Sequence, residues 1–451
     1  MIDFNKFAKY SKPGPRYTSY PTALEFNESF DDKAYIKALQ RHTKLPLSLY
    51  VHLPFCKSAC YFCGCSVIYT SKEYKKVEYI GYLKKELDLI KQYIDTNREV
   101  LQFHFGGGTP TFYNAKELED VIKLIYNTFG NFSKSAEISC EIDPRFFSEE
   151  QMRVLKDYGF NRLSFGVQDF DSKVQQAIHR IQPISIVETA INLARKYGIN
   201  CINFDLIYGL PNQTLESFKT TLNDVLKLEP TRLAIFNYAH VPWIKKTMRK
   251  IDEKMLPSPQ EKLEILKYTI NYLTSNDYKM IGMDHFALES DELYQASLKG
   301  ELKRNFQGYT AKKHTQTIGL GLTSIGEGHD YYVQNYKDYE AYKKALDSNR
   351  LPIQRGIQLK GEDNLRKNII MKLMNNFILD IKHIENKFNI NFKEHFKDNL
   401  QKLDEYINLG LVSIDDDYIK ITPTGAMLVR NIVMVFDEYL VSQDGRFSKT
   451  V

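Results

Sequence analysis

The sequence predicts an α/β fold, a partial (β/α)6 barrel with an N-terminal arm and a mainly helical, winged-helix-like C-terminal domain. Short β-rich runs alternate with amphipathic stretches, a pattern typical of βαβ units and a parallel sheet. Six such runs suit a barrel or an open barrel, while a flat, doubly wound sheet remains an alternative. The 451 residues exceed one ordinary domain. We predict divisions at residues 1–45, 46–355 and 356–451.

The first element is the arm. Residues 13–22 are too rich in Pro and Gly for a helix or a central strand, so we expect an ordered arm that lies on another part of the protein. Residues 1–12 mix charged and aromatic side chains and lack the apolar stretch of a signal peptide. No apolar run approaches the roughly 18–20 residues of a membrane span. We therefore expect a soluble, cytoplasmic protein.

The barrel elements follow in alternation. Predicted strands cover residues 47–53, 100–105, 136–142, 162–166, 201–208 and 232–238. Predicted helices between them cover residues 73–94, 115–129, 148–157, 186–196 and 215–226. Because catalytic groups of such barrels come from the carboxyl ends of the strands, the residues after each strand are the candidates for a site.

The remainder of the chain changes character. A helical pattern at residues 260–273 leads into a stretch at 305–330 that we expect to be rich in loops. Helices from about residue 361 are followed by a predicted hairpin, residues 410–414 and 418–423, and by a helix at 425–440. Helices followed by a hairpin favour a winged-helix-like domain, and a packing cap on the barrel mouth is the alternative.

Composition and charge exclude some classes of protein. Hydrophobic content of 43% with 26% charged residues is globular and excludes wholesale disorder. The net charge of +5 is too small for this length to indicate nucleic acid. It would equally suit a polyanionic small molecule.

Four of the six cysteines lie close together in the sequence, namely Cys56, Cys60, Cys63 and Cys65. Without an export signal, such a cluster indicates a metal or catalytic site rather than disulfides. A zinc site would normally need a second pair of ligands, and Cys140 and Cys201 stand alone in predicted strands. Three thiolates with the spacing C-x3-C-x2-C can instead hold an iron–sulfur cluster and leave one iron open.

This spacing, with Phe62 before the third cysteine, resembles the radical S-adenosylmethionine superfamily. The predicted fold then becomes a partial (β/α)6 radical-SAM barrel. The resemblance implies a [4Fe–4S] cluster bound by Cys56, Cys60 and Cys63. It also implies that the open iron binds S-adenosylmethionine, which is cleaved to a 5′-deoxyadenosyl radical.

Further motifs resemble the oxygen-independent coproporphyrinogen III oxidase family over essentially the whole chain. They are RYTSYPTA at residues 16–23, YVHLPFC at 50–56, CYFCGC at 60–65, GGGTPT at 106–111, NFDLIYGLP at 203–211, NYAH at 237–240 and NFQGYT at 305–310. Cys65 favours the oxidases over the related haem chaperones, which generally lack it. Two stretches depart from the family pattern, residues 57–59 and 326–329.

The resemblance implies two molecules of S-adenosylmethionine. Residues that match the shell of the first are Tyr50, Phe62, Gly107, Glu141 and Ile325. Residues that match the surroundings of the second are Gln168, Arg180, Asp205 and Ala239, while Gly108 and Thr109 match the seam between the two. Cys65 is implied to be associated with activity without binding the cluster.

The implied substrate is coproporphyrinogen III, whose carboxylates favour arginine partners. Arg16 in the arm and Arg304 are the candidates. The implied reaction is oxidative decarboxylation of two propionates to vinyl groups, which gives protoporphyrinogen IX in anaerobic haem biosynthesis. We expect a flavodoxin- or ferredoxin-like reductant, an unknown final electron acceptor, no nucleic acid partner and a monomer.

Two alternative functions remain open from the sequence. One is a haem chaperone of the same superfamily that lacks oxidase activity. The other, more remote, is a zinc-bearing nucleic-acid-binding protein, against which the weak net charge already argues.

Overall fold

The computed structural model describes residue 10 and residues 14–41, 44–312 and 314–440. The prediction that residues 1–12 are no signal peptide therefore falls almost entirely outside the described residues. The strands are β1 (Leu47–Leu53), β2 (Phe55–Cys56), β3 (Ile68–Tyr69), β4 (Val100–Gly107), β5 (Phe132–Ile142), β6 (Arg162–Gln168), β7 (Cys201–Tyr208), β8 (Arg232–Asn237), β9 (Tyr278–Ile281), β10 (His285–Leu288), β11 (Lys303–Asn305), β12 (Gly308–Thr310), β13 (Gln316–Leu320), β14 (Ile325–Glu327), β15 (Tyr331–Asn335), β16 (Ile353–Gln358), β17 (Ile378–Asp380), β18 (Val412–Ile414) and β19 (Tyr418–Ile421).

Helices connect most of these strands. They are α1 (Asp32–Arg41), α2 (Tyr74–Ile90), α3 (Ala115–Thr128), α4 (Glu149–Asp157), α5 (Ser172–Ala177), α6 (Ile184–Lys196), α7 (Leu215–Lys227), α8 (Pro259–Thr274), α9 (Glu292–Leu298), α10 (Tyr339–Asp347), α11 (Asp363–Asn376), α12 (Ile381–Phe388), α13 (Phe392–His395), α14 (Lys397–Asn408) and α15 (Val429–Val433). No helix of the described chain is both long enough and apolar enough to cross a membrane.

The six predicted strands form the parallel centre of the fold. β1, β4, β5, β6, β7 and β8 are neighbours in that order, and every pair is parallel. Helices α2, α3, α4, α6 and α7 lie between consecutive strands, as predicted. A chain order that equals the spatial order is the arrangement of a (β/α) barrel, so the predicted fold class is confirmed.

Local sequence explains where these elements begin. Asn114 caps α3 and Ser148 caps α4, each through a reciprocal pair of hydrogen bonds with the residue three positions on. β6 and β7 alternate between buried and half-buried residues, so one face packs on the helices while the other lines the barrel interior.

The stretch at residues 305–330, which we expect to be rich in loops, also contains the short strands β12, β13 and β14. β13 joins the open edge of β1 as a further parallel strand, and β14, β15 and β16 continue the sheet in antiparallel fashion. At the other edge β10 and β9 extend it to twelve strands. Strands of three to five residues are too short for a visible period-two pattern.

The C-terminal region contains the helices α11 to α14 and a three-stranded antiparallel sheet in the order β17, β19, β18. The predicted hairpin is confirmed. The predicted helix at 425–440 is wrong, because the chain forms three short helical segments that end at Phe436. Side chains there bind the arm instead: Arg430 donates to the carbonyl of Pro15 (2.9 Å). The division at residue 355 stays a prediction.

Candidate active site

The cysteine cluster follows β1 at the carboxyl edge of the parallel sheet. Cys60 is buried, Cys56 and Cys63 are half-buried and Cys65 is exposed, and all four are free thiols. Burial, and then the negative charge that each of the four cysteines carries as a thiolate, raise the pKa of Tyr69, so all four lie near its hydroxyl. Cys140 and Cys201 lie in β5 and β7, as predicted.

Two arginines approach the sulfur of Cys60. Nη2 of Arg145 and Nη1 of Arg180 both lie 3.7 Å from it. The carboxylate of Asp143 joins the two cations, at 2.7 Å from Arg145 and 3.0 Å from Arg180. Burial pushes the pKa of Asp143 upward, but the two guanidinium groups outweigh it and hold that pKa below its ordinary value.

The glycine run after β4 brings backbone close to the cysteine loop. The N–H of Gly108 donates to the carbonyl of Leu53 (2.8 Å). Gly107 has a φ of +115°, and a Cβ at that position would lie 2.7 Å from the ring of His52. The hydroxyl of Thr109 lies 3.2 Å from the sulfur of Cys56. Only glycine at position 107 permits this approach.

Glu141 at the end of β5 faces the barrel interior with its side chain 44% exposed. It accepts hydrogen bonds from the N–H of Gly107 (3.3 Å) and from Nε2 of His104 (3.4 Å). The ring of Tyr50 stacks on His104, with the ring centroids 5.9 Å apart. Tyr50, Gly107 and Glu141, all predicted site residues, are therefore brought together.

His52 orients Tyr50. Its Nε2 lies 3.0 Å from the carbonyl of Ser66, and its Nδ1 lies 3.0 Å from the hydroxyl of Tyr50. Because a carbonyl only accepts, Nε2 carries the proton and Nδ1 accepts from Tyr50. Burial lowers the pKa of His52 to about 4, which keeps the ring neutral at physiological pH.

Asp205 in β7 is the second carboxylate of the interior. It accepts from Ser164 (3.1 Å) and Asn203 (2.9 Å). Burial, and then the charge of Glu141, raise the pKa of Asp205 to about 6. Glu141, Asp205 and Arg304 line one cavity of about 330 Å³ inside the barrel. A half-buried carboxylate with a raised pKa in such a cavity is typical of a functional site.

The two candidate substrate arginines lie at different places. Nη2 of Arg16 donates to the carbonyl of Asn237 (3.4 Å), which places the arm at the carboxyl end of β8. Arg304 lies over the ring of Tyr309, 5.0 Å from its centroid. Its Nε and Nη1 atoms are buried and, within the described part of the chain, have no hydrogen-bond partner. Unpaired buried donors beside a cavity suit an anionic ligand.

Four further predicted residues form no hydrogen bond with the carboxylate of Glu141 or Asp205 within the described part of the chain, namely Gln168, Phe62, Ile325 and Ala239. Gln168 ends β6 with a φ of +68°. Phe62 packs on the apolar cluster that includes Tyr238 and Met248, and Ile325 packs near Phe26 and Tyr332. Ala239 follows two residues after β8.

Sequence reasoning missed Asp143, Arg145, His52 and His104. The histidines carry a signal, because each is a polar residue at an alternate position of an otherwise apolar strand. Asp143 and Arg145 flank Pro144 and resemble an ordinary surface turn. Their role depends on Cys60, which lies far away in the sequence.

The comparisons with known proteins identify the family. The Radical SAM superfamily profile matches residues 50–225, and the HemN C-terminal domain profile matches residues 359–428. The chain is 62% identical to an oxygen-independent coproporphyrinogen III oxidase of Helicobacter pylori (strain J99), over 100% of this chain and 99% of that protein. The chain belongs to the oxygen-independent coproporphyrinogen III oxidase family.

A sequence and a solved structure from Escherichia coli extend the comparison. The oxygen-independent coproporphyrinogen III oxidase family member from strain K12 is 44% identical over 97% of this chain and 95% of its own length. The solved structure of coproporphyrinogen III oxidase (HemN), described as a radical SAM enzyme, has a TM-score of 0.93 and 43% identity. The structural match covers 97% of this chain and 100% of the Escherichia coli chain.

Membership of the radical SAM superfamily implies a [4Fe–4S] cluster and S-adenosylmethionine. The donor set fits. Cys56, Cys60 and Cys63 are free thiols on one loop after β1, and three thiolates leave one iron of a [4Fe–4S] cluster open. A [4Fe–4S] cluster binds each thiolate through a different iron and needs thiols spread around it. The two guanidinium groups at Cys60 also suit a negatively charged thiolate cluster.

Proposed function

We propose that this chain converts coproporphyrinogen III to protoporphyrinogen IX by oxidative decarboxylation of two propionates to vinyl groups, in anaerobic haem biosynthesis. The observation that carries the proposal is the contact of the free-cysteine loop with the glycine run after β4, where Cys56 lies 3.2 Å from Thr109 and Gly107 donates to Glu141. Relatives of the same length, up to 62% identical, bear the name of this activity.

Cys56, Cys60 and Cys63 would hold the cluster, and Cys65 would serve the reaction without binding it. When bound, the cluster and S-adenosylmethionine supply a carbon radical that takes a hydrogen atom from the β-carbon of a propionate, after which CO₂ and one electron leave. Arg145 and Arg180 fix Cys60 and partly offset the charge of the cluster.

Two S-adenosylmethionine sites extend the proposal. Tyr50, Phe62, Gly107, Glu141 and Ile325 would surround the first. Gln168, Arg180, Asp205 and Ala239 would surround the second, with Gly108 and Thr109 between the two. The presence of two separate carboxylates, Glu141 on β5 and Asp205 on β7, supports two sets of ribose hydroxyls, since each carboxylate can accept one pair of hydrogen bonds.

Arg16 and Arg304 would bind substrate propionates. Arg304 is the better supported, because its unpaired Nε and Nη1 atoms lie buried at a cavity wall and can each donate to a carboxylate oxygen. Arg16 would act from the arm at the barrel mouth. We further propose a monomer in the cytoplasm that takes electrons from a flavodoxin- or ferredoxin-like protein, with a final electron acceptor still to be identified.

Anaerobic reconstitution followed by product analysis tests the function. With S-adenosylmethionine, a reductant and coproporphyrinogen III, we expect 5′-deoxyadenosine and protoporphyrinogen IX. The Cys60→Ser variant should lose both products and most of its iron, whereas Cys65→Ser should retain iron and lose protoporphyrinogen. Deoxyadenosine without protoporphyrinogen from the unaltered protein would contradict the decarboxylase, and stable stoichiometric haem binding would favour the chaperone.

Calorimetry tests the number of cofactor sites separately. The reconstituted protein should bind two equivalents of S-adenosylmethionine, and Asp205→Asn should reduce this to one. A single equivalent for the unaltered protein would contradict the second site while leaving the reaction intact.

A further inference from the structure

We propose that the 241–255 segment, between β8 and α8, is the docking surface for an acidic one-electron carrier protein that reduces the cluster. The inference rests on the proposed function only for the cluster's need of an external electron. The position, the exposure and the charge of this segment mark it as the place where that electron enters.

The segment lies directly over the cysteine loop. Nζ of Lys245 donates to the carbonyl of Cys65 (2.8 Å). Nζ of Lys250 lies 4.9 Å from the ring centroid of Tyr61. Both partners belong to the loop that carries the cluster ligands. A protein bound to this segment would therefore sit beside the cluster, as electron transfer over a short path requires.

The segment is held in place by its packing, so the exposure of its outer side chains is a fixed feature of the fold. Met248 and Ile251 are 2% and 5% exposed and pack into an apolar cluster with Tyr238, so the segment is anchored from beneath. Trp243 and Ile244 nevertheless stand 65% and 62% exposed at its outer side. Trp243 is the single tryptophan of the chain. Neighbouring large apolar side chains that a fixed segment leaves in solvent mark a contact surface.

The charge of the segment indicates the sign of the charge that its partner carries. Within fifteen residues it has a net charge of +3, against +5 for the entire chain. Its basic residues are Lys245, Lys246, Arg249, Lys250 and Lys254, and its acidic residues are Asp252 and Glu253. Lys57, which is also exposed, adds a cation on the cysteine loop itself. A basic rim around an apolar centre steers an acidic protein to the surface and holds it there.

The surface next to the segment is concave. A shallow cavity of about 780 Å³ begins at Lys254 and Met255 and continues toward Lys173 on α5. A convex partner that covers Trp243 can extend into this cavity. Of the two macromolecular occupants that would suit exposed Trp, Ile and Lys, an anionic membrane and an acidic protein, the contact with the cluster loop favours the protein.

Stopped-flow reduction of the reconstituted cluster tests the proposal, with flavodoxin as the acidic carrier. The test variant is Trp243→Ser/Lys246→Glu. The matched control is Leu298→Ser/Lys299→Glu, which alters a residue that is 62% exposed and its exposed lysine neighbour at the end of α9. Bleaching of the cluster absorbance gives the rate without any need for porphyrinogen turnover, so a failure of the proposed decarboxylation leaves this readout intact.

We expect the test variant to lose about tenfold or more of the second-order rate with reduced flavodoxin, and the control to lose none. Reduction by dithionite, which needs no docking surface, should be equal in all three proteins. The rate with flavodoxin should fall with salt for the unaltered protein and less steeply for the test variant.

Three results would overturn the proposal. One is an unchanged flavodoxin rate in the test variant, which would place docking elsewhere. Another is an equal loss with dithionite and with flavodoxin, which would make the segment a structural support of the cluster. The third is Trp243-dependent co-sedimentation with phosphatidylglycerol vesicles together with unchanged flavodoxin kinetics, which would make the surface a membrane contact.

Discussion

The guanidinium of Arg145 lies 3.7 Å from the sulfur of Cys60, although the two residues come from different βα loops of the barrel. Asp143 holds Arg145 in place through two hydrogen bonds, from Nε (3.0 Å) and Nη2 (2.7 Å). A fixed positive charge next to a thiolate ligand stabilises the electron-rich state of a cluster. If Cys60 binds the proposed cluster, Arg145 acts on that cluster through the cysteine.

Arg145→Gln should make the cluster harder to reduce. Loss of the cation removes stabilisation of the added electron, and we expect a midpoint potential more negative by roughly 30–60 mV. Redox titration followed by electron paramagnetic resonance measures it. Arg153→Gln, which alters an exposed arginine of α4, is the control. An unchanged midpoint potential in Arg145→Gln would show that Arg145 serves only as a structural partner of Asp143.

Gly107→Ala should lose S-adenosylmethionine binding and stability together. The positive φ and the 2.7 Å approach of a Cβ to His52 would cost about 2 kcal/mol or more and would displace the N–H that donates to Glu141. Calorimetric binding and urea unfolding measure the two effects. Gly64→Ala is the control within the cysteine loop, where an added Cβ meets no described atom within 4 Å.

The parallel centre of the fold could be predicted because short β-rich runs alternate along the chain with amphipathic helical stretches. The boundaries of β1 and β7 match those predicted, and β8 differs at one end by a single residue. β13 could not be predicted, because its five residues carry too little pattern and its partner β1 lies far away in the sequence. The same distance hides the hydrogen bond from Arg430 to the arm.

Some residues of the candidate site could likewise be predicted from the sequence, and others could not. Glu141 could be selected because a carboxylate within an apolar run must be paired if it is buried, whereas Asp205 is assigned by the family resemblance. The pairing of Tyr50 with His52 and His104 required the sheet register, which sets these side chains on one face. Phe62, Ala239 and Ile325 rest on the family resemblance, and their roles stay predictions.

Asp205→Asn should stabilise the cofactor-free protein while impairing cofactor binding. A carboxyl whose pKa is raised by folding, here from 3.8 to about 6, destabilises the fold above pH 6, and the cost vanishes below pH 4. We expect a gain of about 1–3 kcal/mol at pH 8 and none at pH 3.5. Urea unfolding at several pH values measures it, with Glu188→Gln as an exposed control. A gain of equal size at low pH would contradict the electrostatic cause.

Tyr342→Phe should destabilise the turn that precedes Ile325. The buried carboxylate of Glu86 accepts from the hydroxyl of Tyr342 (2.7 Å) and from the N–H of Gly321 (2.8 Å) in the turn before β14. Burial raises the pKa of Glu86 to about 7, so this carboxylate is charged only above neutral pH. Loss of the phenolic donor costs most when Glu86 is charged, and we expect a loss of about 1–3 kcal/mol at pH 8.5 and a smaller loss at pH 6.

Unfolding free energies of Tyr342→Phe at the two pH values measure this difference. Tyr336→Phe, which alters another partly buried tyrosine against the same core, is the matched control and should show no pH-dependent loss. The turn that Glu86 holds leads through Ser324 to Ile325, so Tyr342→Phe should also weaken S-adenosylmethionine binding at pH 8.5 more than at pH 6. A loss of stability that is the same at both pH values would show that the hydroxyl acts through packing alone, because a neutral contact has no reason to follow the charge of Glu86.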